Sequence, residues 1–195
     1  MTAVLTGAAM GGATAVSTPQ DFARTDGLRP AATAEGLVTG PPRDVAGQWV
    51  KTTDAPSGIS VELPGRAKVE HDSMTVSGKT YQLRSYEVTT GKNKLVFQVA
   101  DAHGADTKAA LDPAIRGVAA SVSGTVSKNQ SLKVAGHAAR DGRITFDYNG
   151  VPGVILVRYV AASGHLVGLV AGGPASDEKD VKKLYQQLTH SLHIP

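Results

Sequence analysis

The chain has 195 residues, of which 41% are hydrophobic and 19% charged, and its net charge is only +3. Its lysines and arginines are scattered and form no basic patch or stripe, so we expect no nucleic-acid partner. The absence of cysteine excludes disulfides, thiolate metal sites and thiol catalysis. No apolar run reaches the roughly 18 residues of a membrane span, so no transmembrane segment is expected. The length suits one domain with a tail, or two very small domains.

Residues 1–46 are rich in small residues, threonine and proline, and we predict a signal-like remnant followed by a disordered linker. Ala13-Thr14-Ala15 matches the A-x-A pattern of a signal-peptidase site, although no basic residue precedes Arg24. One explanation is that the true signal begins upstream of Met1. The protein is therefore expected to be secreted or located in the cell envelope. The alternative is that residues 1–46 are a plain low-complexity tail and not an export signal.

The ordered domain is predicted to span residues 47–195 and to begin with strands. Residues 59–63 alternate apolar and polar side chains, as a strand buried on one face does, and Pro64-Gly65 follows them. Further strands are predicted at 74–77, 81–88 and 95–99. The apolar positions change phase after Leu83, which predicts a β-bulge near Arg84-Ser85.

A helical period follows these strands. Asp112-Pro113 is typical of an N-cap followed by proline at the first helical position. The apolar residues after it are spaced i, i+3, i+4 and i+7, at Ile115, Val118, Ala119 and Val122. A start near Thr107, with Pro113 inside the helix, is the alternative, and Gly124 is the predicted stop.

Strands are predicted again at 132–134, 144–146, 154–160 and 165–170. The segment 154–160 is the most continuous apolar run, which predicts an interior strand covered on both faces. Asp141-Gly142 predicts either a tight hairpin turn or a kink within one long strand. Gly150-Val151-Pro152-Gly153 predicts a loop, and Ser163-Gly164 a turn.

A C-terminal helix is the most clearly indicated element. Ser176 is the predicted N-cap, and Asp177 and Glu178 place negative charge at the positive end of the helix. One apolar stripe then consists of Val181, Leu184, Tyr185, Leu188 and Leu192. The order of strands, helix, strands and helix, with hairpin-length links among the later strands, predicts an α+β fold. Its core would be a mainly antiparallel sheet with packed helices.

These landmarks resemble the PsbP-like α/β/α sandwich, as it occurs in small exported actinobacterial proteins. The resemblance covers residues 49–194 and depends on three features. They are the opening strand that ends in proline at 58–64, the segment 150–153 before a strand that contains Arg158, and the terminal helix ending at 188–192. The resemblance implies a non-enzymatic fold used for binding or assembly, and it brings no catalytic residues with it.

Several polar groups contain residue types found in catalytic or metal sites. His71-Asp72-Ser73 holds the residue types of a hydrolase triad, but adjacent side chains cannot form that relay, so a polar loop is predicted. His190 and His193 could share a helix face, but further metal ligands are missing, so a frayed, solvated terminus is predicted. Arg140, Asp141 and Arg143 are interpreted as a solvated turn.

Arg158 is the most informative single residue because it interrupts a run that is otherwise apolar. A buried charge needs a partner or a bound anion, which makes Arg158 the candidate ligand-binding residue. The alternative is that its stem lies over the core while its guanidinium reaches solvent.

Three functions stay open. The first is a secreted or cell-envelope binding or assembly module, non-enzymatic and monomeric, that recognises an unknown protein or small molecule through a sheet face or a cleft beside a helix. The second is a small extracytoplasmic hydrolase whose residues meet only in space, with His137, Asp141 and Ser163 as candidates. The third is a structural envelope protein without a small ligand. No metal or other cofactor is expected in any of them.

Overall fold

A computed structural model describes residues 48–76, 79–103 and 105–195, in which an antiparallel sheet lies between helical layers. The predicted leader, residues 1–46, lies outside the described residues. The strands are β1 (Val50–Thr53), β2 (Ser60–Leu63), β3 (Lys68–Val76), β4 (Lys79–Thr90), β5 (Asn93–Asp101), β6 (Thr125–Val134), β7 (His137–Tyr148), β8 (Val151–Ala162) and β9 (His165–Pro174). The helices are α1 (Thr107–Ser121) and α2 (Glu178–His190).

Seven of these strands form one sheet in the order β3-β4-β5-β9-β8-β7-β6, and every neighbouring pair is antiparallel. β3, β4 and β5 form one meander, β6 to β9 form another, and β5 pairs with β9 where the two meet. β1 and β2 pair separately as a short hairpin. The predicted α+β architecture is confirmed.

The sheet separates two apolar cores. On one face, β2 and α2 cover a core that includes Phe97 and Leu169. On the other face, α1 covers a second core that includes Ile155 and Val157. Because β5, β8 and β9 are buried on both faces, their sequences are nearly continuous apolar runs, as predicted for 154–160.

The start of α1 corrects one prediction. Asp106, and not Asp112, is the N-cap, because its Oδ1 accepts hydrogen bonds from the backbone N–H groups of Lys108 and Ala109 at 3.0 and 3.1 Å. The alternative start near Thr107 is confirmed, and Pro113 lies inside the helix. The helix ends at Ser121, before the predicted stop at Gly124.

The predicted bulge near Arg84-Ser85 is wrong. β4 pairs with β5 without interruption from Leu83 to Thr90. The phase change arises because β4 is buried on both faces, with Leu83 in one core and Tyr86 in the other. The irregularity lies instead in β6, between Val126 and Lys128.

The turns of the second meander also differ from the predictions. Asp141-Gly142 is not a hairpin turn, because β7 runs through it as one long strand. The predicted loop 150–153 is wrong in part, since the turn is at Asn149-Gly150 and β8 begins at Val151.

The N-terminus of α2 differs as well. Ser176 is not its cap, because the 3₁₀ turn Ala175–Asp177 precedes the helix and Asp177 takes the N-cap position. The apolar stripe is confirmed in its main members, with Val181, Tyr185 and Leu188 buried. No helix within the described ranges combines the length and the apolar character that a membrane crossing needs.

Gly142 is needed where α1 approaches β7. A Cβ atom at this position would lie 2.9 Å from both Ile115 Cγ2 and Val157 Cγ1. We therefore expect Gly142→Ala to lower the free energy of unfolding by about 1–3 kcal/mol through overpacking. Gly117→Ala, on an open part of α1 with nothing within 4 Å, should instead stabilise by up to about 1 kcal/mol. Urea unfolding of both variants tests this, and equal effects would contradict it.

Candidate functional site

Arg158 lies in β8 on the sheet face that α2 covers. Its neighbours Val157 and Tyr159 point to the opposite face, toward the core beneath α1. The register places Asp141 of β7 directly opposite Arg158, so the two side chains project from the same face of neighbouring strands. The sheet therefore positions this pair without help from a loop.

The pair is completed by a tyrosine from α2. Arg158 donates from Nε to Asp141 Oδ1 at 2.6 Å and from Nη2 to Asp141 Oδ2 at 2.8 Å. The Tyr185 hydroxyl donates to Asp141 Oδ1 at 3.1 Å, and the Arg158 guanidinium carbon lies 6.0 Å from the centre of the Tyr185 ring. The Arg158 side chain is 16% exposed and that of Asp141 is 28% exposed. This arrangement holds the guanidinium in one orientation with one edge near solvent.

A second arginine, Arg143, lies two residues after Asp141 in β7 and on the same face of the sheet. Arg143 donates from Nε and Nη2 to the two carboxylate oxygens of Glu178, at 2.9 and 2.7 Å. Its Nη1 donates to Ser127 Oγ at 3.0 Å. Ser127 lies at the irregularity in β6, which brings its hydroxyl to Arg143. The first turn of α2 is thereby tied to β7 and β6.

The ionisation of these groups follows from their partners. The hydrogen bonds from Arg143 lower the pKa of Glu178, so this carboxyl group is ionised at neutral pH. Hydrogen bonding to Asp141 raises the pKa of Arg158. Burial, together with the charge of Asp141, raises the pKa of Tyr185, so its phenol stays neutral and acts as a donor.

The strip of sheet beside α2 is open toward β6. α2 packs mainly over β9 and β8, while Lys128 and Gln130 of β6 are exposed. Lys128 pairs with Arg143 in the register and shares its face, and Lys182 is exposed one turn after Glu178 on α2. We call this surface the basic face, and it consists of Lys128, Asp141, Arg143, Arg158, Glu178 and Lys182.

The interpretation of 140–143 as a solvated turn is therefore wrong. These residues lie within β7, and each of the three charged side chains has an ion-pair partner. Arg140 points to the other face, where it pairs with Asp112 at 3.0 Å. Arg158 has the partner that its position in an apolar run requires, because Asp141 binds its guanidinium on the sheet, while the side chain keeps 16% of its surface exposed.

The hydrolase candidates do not form a catalytic set. His137 and Asp141 are four residues apart in one strand, which separates them by roughly 13 Å. Ser163 lies exposed in the turn between β8 and β9, and Asp141 is engaged by Arg158 and Tyr185. No nucleophile, base and orienting acid are therefore aligned by these three residues.

Two histidine predictions also need correction. His71-Asp72-Ser73 is not a loop but part of the edge strand β3, with all three residues exposed. The C-terminus is not frayed, since the backbone N–H of His193 donates to the Ser60 carbonyl at 2.8 Å and Ser60 returns the bond at 3.0 Å. Among the described residues, no group of three His, Asp or Glu side chains is placed to hold a metal ion.

Sequence reasoning missed one buried charged cluster. The Arg84 side chain, 8% exposed, donates to Asp54 at 2.5 and 3.0 Å and to Asp101 at 2.6 and 2.7 Å. Asp54 is fully buried and also accepts from the Tyr86 hydroxyl at 2.8 Å. His165 Nδ1 lies 3.2 Å from Asp101. Because Asp54 follows β1, the cluster joins the hairpin to the sheet and is structural in this geometry.

A shallow depression of about 410 Å³ lies beside the turn between β7 and β8 and the end of β9. Apolar side chains line much of it, including Phe146, Tyr148 and Pro152, and Lys92 lies at its rim. No Asp, Glu or His side chain lines this depression, so the basic face is the stronger candidate site.

Solved structures share this fold at low sequence identity. Cyanobacterial PsbP (CyanoP) from Synechocystis sp. PCC 6803 is 11% identical, with a TM-score of 0.56 over 82% of this chain and 99% of that chain. LpqN, involved in cell envelope biogenesis of Mycobacterium tuberculosis, is 12% identical, with a TM-score of 0.46 over 76% of this chain and 91% of that chain.

A protein of unknown function from Pseudomonas aeruginosa, described as a putative regulator, is 13% identical, with a TM-score of 0.43 over 76% of this chain and 98% of that chain. Neither a family model nor a curated protein matches the sequence itself. The fold is PsbP-like, as the resemblance implied, and at such identities the comparisons speak for the fold alone.

Proposed function

We propose that this protein is an extracytoplasmic, non-enzymatic binding or assembly module that recognises its ligand or partner through the basic face. Arg158 is its central binding residue. The domain, residues 47–195, acts as a monomer in this proposal, and the proposed location follows from the signal-peptidase-like Ala13-Thr14-Ala15.

The observation that carries the proposal is the partly buried pairing of Arg158 with Asp141 in an otherwise apolar strand. Removing two charges from water costs several kcal/mol per ion, and apolar residues of similar volume often stabilise a core as well or better. A charged pair in this position, with one edge open to solvent, is therefore better explained by recognition than by stability.

Native mass spectrometry of the full chain, recovered from cells without denaturation, tests this proposal. We expect wild-type protein to carry a ligand or partner that Arg158→Gln has lost, because this change removes both the charge and the fork of donors. Arg140→Gln is the matched control, since Arg140 is also paired in a strand but faces α1.

Retention of the same adduct by Arg158→Gln would place recognition elsewhere. If Arg158→Gln does not fold, Arg158→Lys replaces it in the same measurement, because lysine keeps the charge but loses the bidentate contact to Asp141. The location is tested separately by fractionating cells that make the full chain. Recovery in the cytosol would contradict the extracytoplasmic part of the proposal.

A further inference from the structure

We infer that the basic face binds a phosphate group, held between Lys128, Arg158 and Lys182 above β7. The inference rests on the proposed function and names the chemistry of its ligand. The phosphate is either free on a small molecule or part of a lipid headgroup, and the test below separates these two sources.

The first step concerns the charge of the surface. The basic face has four cationic side chains and two carboxylates, which leaves an excess of two positive charges. Both oxygens of Asp141 and both oxygens of Glu178 already accept hydrogen bonds from arginine. The carboxylates are therefore neutralised locally, and the excess charge is on the two lysines.

The second step concerns the donors that remain. Arg143 already donates one hydrogen bond from each of its three nitrogens, to Glu178 and Ser127. Arg158 uses two of the five N–H groups of a guanidinium on Asp141 and also bonds with the Tyr185 hydroxyl, so at least two N–H groups are left for a ligand. Lys128 and Lys182 are exposed. Three donor groups from β6, β8 and α2 thus remain for a ligand.

The third step concerns their placement. β6 and β8 flank β7, so their backbones are roughly 10 Å apart across it. Lys182 follows Glu178 by one turn of α2, and the Glu178 carboxylate is already bound to Arg143 of β7. The three donors lie on one face of the sheet, in the two strands that flank β7 and in the helix that covers this face.

This arrangement favours phosphate over carboxylate. A phosphate group presents three strong acceptor oxygens in different directions, whereas a carboxylate presents two in one plane. Arginine supplies a directed N–H pair and lysine a flexible point charge, which is the combination that commonly holds phosphate. Tyr185 stays neutral beside this space, so no phenolate opposes the anion.

Calorimetric titration of the full chain with inorganic phosphate and with glycerol 3-phosphate tests the inference. We expect saturable binding by the wild-type protein and at least about tenfold weaker binding by Lys128→Gln/Lys182→Gln, since two charge-assisted contacts are lost. The matched control is Lys133→Gln/Lys183→Gln, which removes equal charge from the same two elements. Lys133 pairs with Ala138 on the α1 face, and Lys183 lies beside Asp180. The control should bind within about twofold of wild type.

Vesicles of phosphatidylglycerol, compared with phosphatidylcholine, distinguish the source of the phosphate. Binding to the anionic vesicles that the lysine variant loses assigns a lipid headgroup, and binding only to the soluble phosphates assigns a small ligand. Three results would overturn the inference. They are equally weakened phosphate binding in the two double variants, no binding of inorganic phosphate or glycerol 3-phosphate, and binding of an acidic peptide in preference to phosphate. If phosphate fails while Arg158→Gln still loses a natural adduct, the inference is wrong but the proposed function stands.

Discussion

Arg84→Met should lower the free energy of unfolding by about 3–5 kcal/mol, because it leaves a buried carboxylate without its counter-ion. Asp54 is fully buried and receives two hydrogen bonds from Arg84, at 2.5 and 3.0 Å. Asp101 loses a second bidentate contact in the same change. Urea unfolding monitored by circular dichroism measures the effect, which is a large part of the 5–15 kcal/mol of a typical domain.

Two comparisons make the Arg84 experiment specific. Arg140→Met, which breaks the half-exposed pair with Asp112, should cost less than about 1 kcal/mol. The double variant Asp54→Asn/Arg84→Met removes both charges and should recover part of the loss. Additive losses in the double variant would show that the two residues do not stabilise the fold through each other.

The pH dependence gives an independent check on this cluster. Burial alone would raise the pKa of Asp54, but hydrogen bonds from Arg84, Ser57 and Tyr86 outweigh burial and lower it. The hydrogen bonds of Arg84 likewise lower the pKa of Asp101. Carboxyl groups with a lowered pKa stabilise the fold above their unfolded value of about 3.9, and this contribution is lost as the pH falls below it. The difference in free energy of unfolding between wild type and Arg84→Met should therefore become smaller below about pH 4.

Leu188→Ala should destabilise the domain by about 2–5 kcal/mol, through lost burial and the cavity left behind. Leu188 is fully buried in the core between α2 and the sheet. Leu184 packs against the same core but is only half-buried, so Leu184→Ala should cost less. Differences in urea midpoint at constant slope measure both effects.

Gln187→Ala is the control for the helix itself. Gln187 is exposed and next to Leu188 in sequence, so its replacement should stay within about 0.5 kcal/mol. Similar small effects from Leu188→Ala and Gln187→Ala would mean that α2 is not docked through its apolar stripe. That result would contradict the layered arrangement of sheet and helix.

The periodic elements were predictable because burial leaves a regular pattern on one face. The stripe of α2 and the apolar run of β8 were both identified from that pattern, and both lie where expected. The rule failed in β4, where Leu83 and Tyr86 are buried on opposite faces and the pattern resembles a slipped register. Alternation alone cannot separate a strand covered on both faces from a bulged one.

The candidate site was predictable only in part. Arg158 was recognisable because a charge in an apolar run needs a partner. Its partner Asp141 was assigned to a turn, since Asp-Gly is a common turn pair and only the β7–β8 register places it opposite Arg158. The Arg84 cluster was missed altogether, because Asp54 is 30 positions from Arg84 and no local pattern links them.

The backbone bridge between Ser60 and His193 has a consequence for the order of folding. The short hairpin of β1 and β2 lies outside the main sheet, and its contacts to the C-terminal region include the bond from Glu62 to Ser191, 129 positions away. Closing such a long loop is entropically expensive and slows folding. During synthesis the hairpin therefore cannot gain these contacts until α2 has left the ribosome, although β1 and β2 are translated before every strand of the main sheet.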